Sequence, residues 1–147
     1  MNERKAAFLV CDDVLVSLNG KYFFNGVYTG DIVIPSSELQ VSQLVVVFMF
    51  STPIAKPFRT LKLQVRLPGE QDPRLLDASA SLGAPLPSGR TLQQFRIPFH
   101  IASPILRPGV IEMKILHEEG ETLAGRQWIV TVEQAQAMLS PAPAKPN

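Results

Sequence analysis

The chain has one cysteine, Cys11, among 147 residues, which excludes an intramolecular disulfide and fits a reducing compartment such as the cytoplasm. It has two histidines, His100 and His117, and neither stands in a His-x-His or His-Glu-x-x-His spacing that would set two metal ligands on one face. Charge of one sign is missing too. Fourteen basic against thirteen acidic side chains leave +1, a field too weak to favour a nucleic-acid backbone or an anionic membrane. The longest apolar run, Leu44–Phe50, falls far short of the roughly 20 residues of a spanning helix. Ala6–Val10 is too short for the apolar core of a secretion signal and meets Asp12-Asp13 at once. A cytoplasmic location is expected.

Signatures of catalysis are equally scarce. No serine stands in a Gly-x-Ser-x-Gly elbow, and there is neither a P-loop nor a Gly-x-Gly-x-x-Gly. Nothing singles out a pair of carboxylates for glycosidic chemistry. The expectation is a protein without cofactor or metal, more a binding module than an enzyme.

What the sequence does have is punctuation. Thirteen prolines and nine glycines divide it into short runs rich in Val, Ile, Phe and Leu, which is strand spacing. Asn19-Gly20 separates Val14–Leu18 from Tyr22–Thr29 and predicts a type I′ hairpin. Asn25-Gly26, inside the second run, predicts a bulge. Leu44–Phe50 reads as a strand buried on both faces. In Thr60–Leu67, Leu61, Leu63 and Val65 alternate with Lys62, Gln64 and Arg66, so one face is core and the other wet. Phe95, Ile97, Phe99 and Ile101 form another apolar face, with Pro98 restricting that strand to an edge or bulge. Ile111, Met113 and Ile115 lead, after the acidic turn Glu118–Glu121, to a return strand whose core face is read as Trp128, Val130 and Val132.

About eight strands without a long helical period imply two packed antiparallel sheets, since one amphipathic sheet must bury its apolar face on another layer. The expected fold is all-β, a two-sheet sandwich of immunoglobulin-like or related type, with a partly closed barrel as the alternative. Residues 1–139 are read as one domain and 140–147, with three prolines, as a flexible tail. Pro68–Arg90 reads as a mobile loop with a short helical turn near Pro73–Ser81. Glu133–Leu139 has room for two helical turns.

Phe8-Leu9-Val10-Cys11-Asp12-Asp13-Val14, Asn19-Gly20-Lys21 and Gly26-Val27-Tyr28 resemble the opening of an uncharacterised family of small bacterial β proteins, known only as a domain of unknown function. The likeness covers about the first 35 residues, with a weaker one over Pro108–Val132. The resemblance implies a bacterial origin and a compact β domain, and supplies no catalytic residues.

Each cluster of reactive side chains has a plainer reading. Cys11, Asp12 and Asp13 offer a thiol and two carboxylates, but successive strand residues point to opposite faces, so a buried thiol with an aspartate capping the next turn is expected. His100, between Phe99 and Ile101, is expected to be exposed. His117 begins the acidic turn, where a carboxylate would favour its charged form. Lys56, Arg59, Lys62 and Arg66 form the one suggestive surface, to which Arg96 could add, as a candidate site for an anion or a partner. The function expected is therefore protein interaction through a sheet face or edge, with a protein partner or a homo-oligomer. The alternative is a small-ligand site or an enzyme active site under the 68–90 loop.

Overall fold

A computed structural model describes residues 3–83, 86, 88–120 and 122–139. Twelve strands follow in order: β1 Lys5–Cys11, β2 Asp13–Val16, β3 Tyr22–Asn25, β4 Ile32–Ile34, β5 Leu39–Gln40, β6 Gln43–Pro53, β7 Leu61–Arg66, β8 Arg74–Asp77, β9 Leu92–Ala102, β10 Ile105–Leu106, β11 Gly109–His117 and β12 Thr122–Thr131. A 3-10 turn, Ser79–Gly83, follows β8, and helix α1, Val132–Leu139, follows β12. Among the described residues the fold is all-β, in several sheets of which none closes into a barrel.

The two larger sheets have orders β1-β6-β9 and β4-β12-β11-β7-β8, and β2–β3 and β5–β10 form two-stranded pairs. All pairings are antiparallel except β4 with β12. One apolar cluster joins the two larger sheets, with Val46, Phe48, Phe95 and Ile101 from one and Leu61, Leu63, Val65, Ile111, Met113 and Ile115 from the other. Alternation along β7 and β11 puts these residues inside, as expected. Strand β6 is buried on both faces because it serves two clusters. Val46 and Phe48 enter the main core, while Val45 and Val47 meet Cys11 and Val14 under the β2–β3 pair. Strand β9 lies at a sheet edge, where Pro98 leaves no central ladder bond unmade.

Strand β12 has the opposite facing to the one expected. Ile111, Met113 and Ile115 lie opposite Gln127, Gly125 and Leu123, and directly opposed residues share a face. The core side of β12 is therefore odd-numbered, with Ile129 buried, and Trp128 and Val130 point outward. Within Trp128–Val132 four of the five residues are apolar, so alternation alone does not choose a face. Gly125 is where it is because the Phe8 ring lies against its backbone: a Cβ there would stand 2.4 Å from a ring carbon.

The hairpin at Asn19-Gly20 exists, but with a different turn. Gly20 N–H donates to Ser17 O and Ser17 N–H to Lys21 O, Gly20 has φ 78°, and Asn19 keeps a negative φ. This is a type I turn closed by a left-handed glycine. Asn25-Gly26 ends β3 instead of bulging it. The chain then passes β1, where Tyr28 N–H donates to Val10 O. The expected helical turn in Pro68–Arg90 is replaced at Arg74–Asp77 by β8, which pairs with β7, and the 3-10 turn comes after it. Helix α1 is fixed at its start by a reciprocal cap: Gln134 N–H donates to Thr131 Oγ1, and Thr131 N–H donates to Gln134 Oε1. Residues 140–147, read as a tail, lie outside the described residues.

Candidate functional site

The four cations singled out in the sequence sit on two consecutive segments, β7 and the connection that leads into it. Lys62 and Arg66 share the outer face of β7, with Lys62 opposite Asp77 and Arg66 opposite Glu112. Arg66 is ion-paired with Glu112. Lys114 and Arg126 also flank Glu112, on β11 and β12. The Arg66 hydrogen bond outweighs burial and, with Lys114 and Arg126, holds the Glu112 carboxyl below its ordinary range. Nothing in the sequence groups these last two cations with Lys62 and Arg66, because only register across three strands brings them together. Lys56 and Arg59 lie in the β6–β7 connection, where Lys56 pairs with Glu119 at 2.9 Å. Arg96 is on β9 in the other large sheet, opposite Met49.

A second cluster, with no local signal in the sequence, gathers around Arg4. Its side chain is 4% exposed and its guanidinium lies 4.3 Å from the centre of the Phe58 ring. It donates to Thr52 Oγ1 at 3.2 Å, His117 Nδ1 at 2.8 Å, Pro57 O at 3.1 Å and Glu118 Oε1 at 2.7 Å. Glu118 Oε2 accepts from Arg59 N–H at 2.9 Å and from Thr60 N–H at 3.3 Å. Burial opposes the charge on Glu118, but these donors outweigh it and bring its pKa from 4.5 to about 2. Arginine only donates, so His117 Nδ1 is the acceptor of this contact. His117 itself is buried at the end of β11. Arg4 joins the start of β1 to the β6–β7 connection and to the β11–β12 turn, the geometry of a clasp.

Cys11, Asp12 and Asp13 each have partners within the fold. Cys11 is buried, and burial first, then the Asp12 charge, raises its thiol pKa. Asp12 accepts from Tyr28 Oη at 2.8 Å, and Asp13 accepts from Val14 N–H and Gln43 Nε2. Burial and that Asp12 bond push Tyr28 up to about 12. Among the described residues no three His, Cys, Asp or Glu side chains are placed to hold a metal. His100 is exposed, and with Arg74, Leu75, Leu76, Pro98 and Phe99 it lines an open groove of about 470 Å³ between β8 and β9.

The least expected feature is apolar surface. On the β2–β3 hairpin, Val14 and Phe24 are a cross-strand pair turned toward Val45 and Val47. The next pair, Leu15 and Phe23, must then point away from the protein, and these residues are 53% and 52% exposed. Val16 and Leu18 at the tip are exposed too. A two-stranded ribbon with one face already buried has no structural use for a second apolar face. Trp128, Val33, Met138 and Leu139 are exposed around α1.

Among known proteins, no family model matches the sequence, and neither a curated protein nor a solved structure is similar to it. Among the described residues, no helix is long and apolar enough to cross a membrane.

Proposed function

We propose that this chain is a non-enzymatic protein-interaction domain that docks through the outer face of the β2–β3 hairpin, and that the occupant is a second copy of itself. The observation that carries the reading is the outward-facing Leu15–Phe23 pair on a hairpin whose inner face is already packed. Leu15 and Phe23 bring no charge to the contact, so two copies related by a twofold axis can meet there through apolar side chains. The edge of β1 is less suited to pairing of copies. Its Val10 carbonyl is already taken by Tyr28, and Phe8 packs against Gly125.

The test is site-directed cross-linking. Cys11 is buried, so a cysteine placed at Phe23 should be joined to its copy by a short bismaleimide, whereas one placed at His100 should not. Equal, slow cross-linking at both positions would reject the hairpin as the interface.

The wider frame is a two-sheet sandwich of immunoglobulin-like or related type, supported by the single core shared by the two larger sheets. Membership of the bacterial family suggested by the Cys-Asp-Asp-Val opening and a cytoplasmic setting belong to the same reading. The buried free thiol is compatible with it. A second reading, a small-ligand site, is favoured by the groove that β8, inside the 68–90 segment, forms with β9. The Arg74 guanidinium there is engaged by Glu70 at 2.7 Å, so the groove offers a ligand mainly apolar contact.

A further inference from the structure

The β2–β3 hairpin covers only part of the outer face of the three-stranded sheet. Along β6, burial fades as the cover ends: Val45 and Val47, which meet the hairpin, are fully buried, whereas Met49 and Ser51, further along the same face, are half-buried. Beyond the hairpin this face sinks into an open depression of about 390 Å³. Its floor is Ala7, Met49 and Ser51, and its sides are Lys5 from the β1 edge and Gln94 and Arg96 from the β9 edge.

The depression carries charge of one sign. Lys5 and Arg96 are exposed, and neither has an ion-pair partner among the described residues. Among those residues no acidic side chain lines it. Arg4, just before Lys5, turns to the opposite face, where Glu118 and Glu119 are engaged by Arg4 and Lys56. Glu3, the nearest acid in sequence, precedes β1 and is not part of the lining. On β9, His100 lines the groove beside β8 instead, and Arg90, in a hollow that shares Gln94, adds a further cation. Lys5 lies opposite Ser51 and Ser51 opposite Gln94, while Arg96, one step along the same face, lies opposite Met49. Two strand spacings and two residues put the Lys5 and Arg96 backbones about 12 Å apart, a span that two long side chains close on one anion. Between them the Ser51 hydroxyl and the Gln94 amide are neutral donors, and Met49 and Ala7 make an apolar floor. Two cations with neutral donors suit an anion rich in acceptor oxygens, and the apolar floor suits an organic group attached to it. We propose that this depression binds a small phosphate monoester, with the phosphate between Lys5 and Arg96 and the organic part over Met49 and Ala7. None of these residues belongs to the hairpin, so this site and the hairpin interface fail independently.

The test is a titration of the full chain with phenyl phosphate, followed by the chemical shifts of the backbone amides. Those of Lys5, Ala7, Met49, Ser51, Gln94 and Arg96 should move together along one saturating curve. Arg96→Gln and Lys5→Gln, both at exposed positions, should stay folded by circular dichroism and each weaken binding about tenfold or more, as expected for the loss of a charged donor. Lys62→Gln, on the outer face of the other large sheet, should leave the affinity unchanged. Inorganic phosphate should bind at the same amides but more weakly than the ester, and phenol should leave them unmoved. The proposal is overturned by the absence of a saturating shift at these amides, by equal affinity in the natural chain and a folded Arg96→Gln variant, or by inorganic phosphate binding as tightly as the ester.

Discussion

Arg4 and Glu118 meet at 2.7 Å, 114 residues apart in sequence, with the arginine side chain almost wholly buried. This contact fastens the start of β1 to the β11–β12 turn. Through Thr52 and Pro57 it also fastens the β6–β7 connection. Removing one partner of a buried pair leaves the other charge uncompensated, so Arg4→Ala should cost about 3 to 5 kcal/mol in urea unfolding. A loss no larger than that of an exposed lysine such as Lys62→Ala would show that the clasp is dispensable.

The same contact sets an acid limit. Glu118 has its folded pKa depressed from 4.5 to about 2, so its contribution is fully present above about pH 4.5 and is lost as pH falls through the interval toward 2. Thermal unfolding from pH 5 to pH 2 should show a steep decline in melting temperature that Glu118→Gln makes shallower. Parallel declines in both proteins would place the acid sensitivity elsewhere.

The facing of β12 can be tested by substitution. Leu63 is fully buried, and Leu63→Ala should cost about 2 to 5 kcal/mol. Trp128→Gln, on the outer face, should cost about 1 kcal/mol or less despite removing the largest side chain. Gly125→Ala should be the more damaging change in β12, by about 1 to 3 kcal/mol, because its methyl group would collide with the Phe8 ring. Trimming that ring with Phe8→Leu should offset part of the loss. An ordering in which Trp128→Gln exceeds Gly125→Ala would contradict the register.

Much of this architecture is legible in the sequence, and what is not legible has a common cause. Alternation of polar and apolar residues identified the core faces of β7, β9 and β11, since Lys62, Gln64, Glu112 and Lys114 leave no doubt about which side is wet. It failed in β12, where both faces of Trp128–Val132 are largely apolar and only pairing with β11 decides. Arg4, Lys114 and Arg126 could not be assembled into clusters because their neighbours are far away in sequence. The hairpin residues have a strand pattern, yet nothing local tells that Leu15 and Phe23 are left outside. The reciprocal cap of α1, by contrast, stands openly in Thr131-Val132-Glu133-Gln134.

Cys11 gives a check on the inner side of the hairpin. Buried beneath the β2–β3 hairpin with Val14, Val45 and Val47, and with a raised thiol pKa, it should resist a disulfide reagent at pH 8 and react fully once urea unfolds the chain. Rapid reaction of the native protein would mean that the hairpin lifts from the sheet and that its inner face is not held.

The central claim is that the hairpin's outer face joins two copies, and sedimentation velocity over a dilution series reads it most directly. The natural chain should sediment as a dimer at high micromolar concentration and dissociate on dilution. Leu15→Asp with Phe23→Asp should remain folded by circular dichroism and sediment as a monomer throughout. A natural chain that is monomeric at the highest concentration, or a double variant as dimeric as its parent, would contradict the account.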